Sequence, residues 1–284
     1  MQLGRIAVAF LIAAVIGSAG AWAGEASQPR TSTQFGAQRL DFAVGGSRAF
    51  LILPTEPKYP RESSAISSDT LAADGSKPWI WYAPTFIGGH PDPSHEWMFK
   101  QFLAKGFAIG GIEVGESFGN PKGRAAYTGF YQFVVKQHGL SPKACLLPQS
   151  RGGLMLYNWA AENPDCVRCI GGIYTLCDVR SFPGLEKACE AYGMTPRELS
   201  ERLSQHNPID RLAPLAKANV PILHVHGDVD TTVPLEENPG ELARRYRSLG
   251  GSAQIVVIKD KGHEVCSEFM QCPALLEFFV TNGR

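Results

Sequence analysis

The sequence predicts an α/β protein with a mostly parallel central sheet covered by helices on both faces. Three observations predict it. From Trp79 onward, short apolar runs alternate with segments of helical spacing, the pattern of repeated strand-helix units. Several of the runs, such as Trp79 to Pro84 and Ala144 to Pro148, are continuously apolar rather than alternating, as strands buried on both faces are. Chemistry-bearing residues fall just past the ends of these runs, where open α/β sheets place their sites.

The elements follow in order. Met1 to Arg5 is basic, Ile6 to Ile16 is apolar, and Ala21-Trp22-Ala23 offers a small-x-small cleavage site, so residues 1–23 read as an export signal. The apolar stretch is short for a membrane span and no cysteine lies near the cleavage point, so the expected mature form is a secreted or periplasmic protein without an anchor. After a Ser/Thr/Gln-rich leader, Arg39 to Val44 and Arg48 to Leu53 flank Gly45-Gly46 and read as an antiparallel hairpin. The Pro-, Ser- and Asp-rich stretch from Glu56 to Lys77 reads as a surface excursion.

The main strands are expected at Trp79–Pro84, Phe107–Val114, Ala144–Pro148, Cys169–Tyr174, Pro221–His226 and Gln254–Ile258. Helices are expected near Ser94–Lys105, Lys122–Gly139, Arg151–Glu162, Glu236–Leu249 and Ser267–Val280. The stretch 176–212 breaks the alternation, with about one helix near Thr195–Ser204. It is expected to be a small lid insertion above the strand ends, within one domain spanning 24–284.

Composition narrows the function classes. With 27 acidic residues against 27 basic ones and no basic cluster, nothing recommends nucleic acid or an anionic membrane as a partner. Seven cysteines in an exported chain permit disulfides and leave one over if all others pair; the pairing stays open, with Cys177–Cys189 and Cys266–Cys272 the pairs closest to loop staples. Cys145 is expected to be a buried, inert thiol. Cys166 and Cys169 have half the spacing of a zinc site, but no second pair follows, so neither a metal nor another cofactor is expected.

The chemistry centres on Ser150. In Leu146-Leu147-Pro148-Gln149-Ser150-Arg151-Gly152-Gly153, an apolar strand breaks into small and polar residues and then resumes with helical spacing. Such a turn raises a serine above the sheet at a helix N-terminus. A serine hydroxyl is a weak nucleophile and needs a base, which in turn needs a carboxylate to fix its tautomer. Both follow downstream: His226-Gly227-Asp228-Val229-Asp230-Thr231-Thr232-Val233-Pro234 ends one strand, and Lys261-Gly262-His263 follows the next.

From Trp79 to the C-terminus, those three motifs in the order Ser, Asp, His make the chain similar to secreted α/β-hydrolases of the esterase and prolyl-oligopeptidase-like group. The resemblance implies Ser150 as nucleophile, His263 as base, and Asp230 rather than Asp228 as the acid. It implies oxyanion donors from the backbone N–H of Arg151 and from the loop after the first main strand. That loop reads Pro84-Thr85-Phe86 where the family often has His-Gly; proline has no N–H, so Phe86 is expected to donate, with Thr85 close behind. Pro148 stands where the first glycine of the turn is usual. Ser150-Arg151-Gly152-Gly153 also resembles the nucleophile motif of glucuronoyl esterases, which implies an oxyanion role for the Arg151 side chain; pairing with a structural carboxylate is the alternative.

Around the site, Glu116 suits a sugar hydroxyl or a cationic group, or else caps the next helix. Phe118, Tyr174 and Trp97 are candidates for a substrate pocket or for core. His90 and His95 are expected at the surface, and His224 and His226 in packing. The expected function is hydrolysis of carboxylic esters, on small molecules, polysaccharide or sugar acids. The alternatives are a peptidase of the prolyl-oligopeptidase type and a binding, lyase or glycosidic use of the same fold.

Overall fold

The computed structural model of the protein describes residues 29–54, 71–72 and 74–284. The expected export signal and most of the excursion 56–77 lie outside the described residues. Among the described residues, no helix is long and apolar enough to cross a membrane.

Nine strands form one sheet: β1 (Arg30–Gln34), β2 (Ala37–Val44), β3 (Ser47–Leu53), β4 (Trp79–Ala83), β5 (Ala108–Ile112), β6 (Ala144–Pro148), β7 (Val167–Ile173), β8 (Ile222–Gly227) and β9 (Ala253–Ile258). Their order across the sheet is β1-β2-β3-β5-β4-β6-β7-β8-β9. The first three strands pair antiparallel and β3 meets β5 antiparallel, whereas β4 to β9 are parallel to one another. The chain runs outward from β4 to β5 and then crosses back to β6 on the other side of β4. A crevice opens where the strand order reverses in this way, beside the carboxyl end of β4.

The helices are α1 (Glu96–Ala104), α2 (Pro121–His138), α3 (Gly152–Glu162), α4 (Leu185–Tyr192), α5 (Pro196–Glu201), α6 (Leu203–His206), α7 (Ala213–Lys217), α8 (Glu241–Ser248), α9 (Ser267–Met270) and α10 (Pro273–Asn282). The period-two alternation of each strand divides the core into two layers. Trp79, Trp81, Ala144 and Leu146 face α2, α3, α7 and α8, whereas Ile80, Tyr82, Cys145 and Leu147 face α1 and α10. On the first face Trp81 lies 4.7 Å from Trp159 and 5.3 Å from Trp79, centroid to centroid, and all three are fully buried. Truncating such a ring to alanine costs about 3–5 kcal/mol, so this stack anchors β4 and α3, the two elements that border the crevice.

Several expectations shift. β1 forms from the Ser/Thr-rich leader, where alternating threonines fit an edge strand, and Phe35-Gly36 turn it into β2 with both residues at positive φ. The expected helix Ser267–Val280 divides at Cys272, because Pro273 opens α10 as its first residue. The expected helix from Glu236 begins regular α-geometry only at Glu241, since Pro239 widens the turn before it. The stretch 176–212 holds three helices, α4 to α6, instead of about one, and Leu176, Val179, Ala188 and Leu199 join Leu154 of α3 and Val233 in a third apolar cluster.

All seven cysteines are free thiols, which corrects both candidate staples. Cys177 belongs to the core layer under α3, while Cys189 belongs to the separate cluster of the insertion. Cys266 is half-buried at the start of α9 and Cys272 is buried at the start of α10. Cys166 and Cys169 pack into opposite core layers, so they cannot act as paired ligands, and Cys145 is the buried thiol expected of it.

Candidate active site

The turn after β6 carries Ser150 at φ 49°, the left-handed conformation that a β-branched or bulky residue avoids and that a serine accepts only when its surroundings hold it. The surroundings are backbone. Gln149 N–H donates to the Ala83 carbonyl at 2.8 Å, Ser150 N–H to that of Ile173 at 3.0 Å, and Leu176 N–H to the Ser150 carbonyl at 2.9 Å. Two glycines let the neighbouring chain close in: a Cβ on Gly152 would lie 2.1 Å from the Ala83 carbonyl oxygen, and one on Gly153 2.1 Å from that of Leu176. Pro148 ends β6 in register with Ala83 and leaves the turn intact.

His263 and Asp230 arrive from the loops after β9 and β8. Ser150 Oγ is 2.8 Å from His263 Nε2, and His263 Nδ1 is 2.8 Å from Asp230 Oδ2. The other carboxylate oxygen, Oδ1, accepts from the backbone N–H groups of Thr232 at 3.0 Å and Val233 at 2.8 Å. Burial of the Asp230 carboxylate by itself would raise its pKa, but the hydrogen bonds from His226, His263 and the Val233 N–H prevail and hold it well below the ordinary carboxylate range. Asp228 sits outside this line; its carboxylate accepts from the Asp260 N–H at 2.7 Å and shapes the turn, as expected. The geometry allows the Ser150 proton to pass to Nε2 while an ionised carboxylate faces Nδ1.

His226 has a larger part than packing alone. Fully buried, it places Nε2 2.7 Å from the Val233 carbonyl and 3.4 Å from Asp230 Oδ2, so it braces the acid loop from below. Its place in the His-Gly-x-x-Asp motif is the signal that could have shown this. His224 is a core residue as expected, 2.8 Å from the Tyr157 hydroxyl.

A cavity of about 300 Å³ opens over Ser150, walled by Pro84, Ile87, His90, Gln149, Arg151 and Tyr174 among others, with Glu264 and Val265 at the mouth. It lies beside the end of β4, at the reversal of strand order. None of its walls comes from 176–212. In the nucleophile turn, the N–H groups of Ser150, Gly152 and Gly153 all have backbone acceptors, and that of Arg151 has none, which leaves it available to an oxyanion.

Phe86 is a correction. Its N–H donates to the His90 carbonyl at 2.7 Å, closing the 84–90 loop on itself, and its ring stacks under Arg48 with the guanidinium carbon 4.5 Å from the centroid. Thr85 is buried with its hydroxyl on the Tyr82 carbonyl, and neither residue lines the cavity.

Arg151 lines the cavity and forms an ion pair with Glu116. That pairing, at the rim and partly exposed, is the role both side chains have in the structure; Asn120, not Glu116, caps α2. Phe118 is half-buried against the insertion cluster and Trp97 against the α1 layer, so both leave the cavity wall. Tyr174 remains in it. Its ring meets that of His263 edge-on at 4.6 Å, and its hydroxyl takes a hydrogen bond from the Gln149 amide. Gln149, unremarked in the sequence although it precedes the nucleophile, organises this wall: its Oε1 accepts from the Tyr82 hydroxyl at 2.7 Å and lies 2.8 Å from His95 Nε2.

Residues 131–280, more than half of the 284, match the model of the prolyl oligopeptidase family. No curated protein matches the sequence. Among solved structures, the acylaminoacyl peptidase of Pyrococcus horikoshii is similar at 17% identity and TM-score 0.63, over 90% of this chain and 41% of that one. Puromycin hydrolase is similar at 16% identity and TM-score 0.63, over 89% of this chain and 39% of its own. The S-formylglutathione hydrolase of Agrobacterium tumefaciens is similar at 12% identity and TM-score 0.64, over 91% of this chain and the whole of that one. The chain thus spans less than half the length of the peptidases it matches, and likenesses at these identities establish the fold, an α/β-hydrolase. The likeness to glucuronoyl esterases has no counterpart among these matches.

Proposed function

The chain belongs to the prolyl oligopeptidase family, and on that premise we propose that it is a serine hydrolase that cleaves carboxylic esters through an acyl-enzyme on Ser150. The observation that carries the reading is the continuous line from Ser150 Oγ through His263 to Asp230, at 2.8 Å per step, ending in a carboxylate held ionised. His263 takes the serine proton as Oγ attacks the acyl carbon, Asp230 stabilises the imidazolium, and His263 then protonates the departing alcohol. Water repeats the cycle and releases the acid. The Arg151 N–H serves the oxyanion.

The cavity's polar walls, His90, Gln149 and Arg151, the last paired with Glu116 outside the wall, suit a short polar acyl group or a sugar, such as an ester on polysaccharide or a sugar acid. An exported, extracellular place of action accords with the N-terminal reading and with such a substrate. Hydrolysis of peptide or aminoacyl amides is the second reading, favoured by the family and by the peptidases among the similar structures. Parallel kinetics on short p-nitrophenyl esters and on aminoacyl p-nitroanilides test the choice. Ester turnover with amide turnover at background is the expected result; amide turnover exceeding ester turnover overturns the ester reading in favour of the peptidase.

A further inference from the structure

We propose that His90, Asp92 and His95, on the loop after β4, form a binding site for one divalent transition metal ion of the Zn²⁺ class. Among the described residues this is the only group of three or more His, Cys, Asp or Glu side chains whose ligand atoms all converge within 4.8 Å of one another. His90 Nδ1 lies 3.1 Å from Asp92 Oδ2, and His95 Nδ1 lies 3.3 Å from Asp92 Oδ1. Around a tetrahedral Zn²⁺ with bonds of about 2.0–2.1 Å, neighbouring ligand atoms stand roughly 3.3 Å apart, so the spacing fits a shared ion.

The protonation pattern points the same way. His95 Nδ1 accepts from the Asp92 backbone N–H at 3.3 Å, and its Nε2 is 2.8 Å from Gln149 Oε1. His95 therefore carries its proton on Nε2 and keeps the Nδ1 lone pair beside the Asp92 carboxylate, with that N–H as a long partner. The Nδ1 lone pair and Asp92 Oδ1 stand 3.3 Å apart on a histidine that is almost fully buried, a spacing at which one cation can take the place of the long Asp92 N–H bond as their shared partner. A carbonyl-type acceptor on the far nitrogen is also the usual partner of a metal-bound histidine. His90 Nδ1 adds the third donor: it is buried and has no well-aligned hydrogen bond.

The simpler role for this loop is capping, since Asp92 Oδ1 accepts from the Ser94 N–H at 2.8 Å and from its hydroxyl. Capping uses Oδ1 and orients the carboxylate, and it leaves Oδ2 beside His90 Nδ1 at 3.1 Å as a poorly aligned pair. Two imidazoles and a carboxylate are a borderline-soft donor set that favours Zn²⁺ over Mg²⁺ or Ca²⁺ and leaves a further coordination position open. Because His90 is also a wall of the cavity over Ser150, such an ion would stand beside the site of chemistry.

The inference does not depend on Ser150 being a nucleophile, because metal binding is read directly. Metal-stripped full-length protein is titrated with Zn²⁺ by calorimetry, and with Co²⁺ by visible absorption. The expected result is one equivalent bound, with affinity falling by at least ~10–100-fold in both His90→Ala and Asp92→Asn, and loss of the tetrahedral Co²⁺ bands in both. His263→Ala, which removes the other imidazole of the cavity, is expected to bind as the wild type does. Absence of saturable binding by the wild type overturns the proposal. So does binding that survives His90→Ala and Asp92→Asn, or that disappears with His263→Ala.

Discussion

Replacing Asp230 by asparagine tests the part assigned to the acid, because the structure dictates how the amide must sit. Oδ1 of Asp230 accepts two backbone N–H groups, from Thr232 at 3.0 Å and Val233 at 2.8 Å. An amide NH₂ placed there would oppose two donors, so the asparagine oxygen takes the Oδ1 position and the NH₂ takes that of Oδ2. The NH₂ then faces His263 Nδ1 at 2.8 Å as a donor. His263 must accept on Nδ1 and carry its proton on Nε2, the nitrogen that should take the proton of Ser150. A wrong tautomer of this kind lowers kcat by about 10⁴-fold, and at 1.36 kcal/mol per tenfold that corresponds to roughly 5.4 kcal/mol of lost transition-state stabilisation. The assay is kcat and kcat/KM on a p-nitrophenyl ester at neutral pH, with circular dichroism to show that the variant is folded. A folded Asp230→Asn protein within about tenfold of the wild type would refute the reasoning.

Other expectations follow from the same structure. Gly152→Ala puts a methyl group 2.1 Å from the Ala83 carbonyl, a backbone atom that cannot swing away, so the unfolding free energy in urea should fall by ~1–3 kcal/mol or more and activity should fall with it. His224, fully buried, has its pKa lowered to about 3, chiefly by burial and then by His226, so the unfolded chain binds its proton first. Stability from this group is present above the ordinary value of 6.5 and is lost as pH falls from there towards about 3; denaturation curves across that window should show the decline, and His224→Asn should remove part of the slope. Titration of thiols in denaturant without reductant should find all seven cysteines reactive, and a deficit of two would reveal a disulfide.

Much of this was legible in the sequence because periodicity and motif order are local signals. The continuous apolar runs at Trp79 and Ala144 mark buried parallel strands, and Ser150, Asp230 and His263 each follow a separate strand. What escaped depends on contacts between distant segments. The Phe86 N–H looked free because only the folded loop brings the His90 carbonyl to it. Arg151 and Glu116 are 35 positions apart, so their pairing cannot be read from either motif. Spacing made Cys177 and Cys189 look like a staple, but the sheet and the insertion place them in different apolar clusters. Gln149 carried no motif signal of its own, and its importance appears only where Tyr82, His95 and Tyr174 converge on one amide.

The central claim is that Ser150 is the nucleophile, and covalent trapping tests it most directly. The full-length protein is treated with a fluorophosphonate and analysed by intact mass and peptide mapping, beside Ser150→Ala. The account expects one equivalent of adduct on Ser150, complete loss of ester hydrolysis in the labelled protein, and neither labelling nor turnover in Ser150→Ala. Label on another residue, or a Ser150→Ala protein that hydrolyses esters as the wild type does, would contradict it.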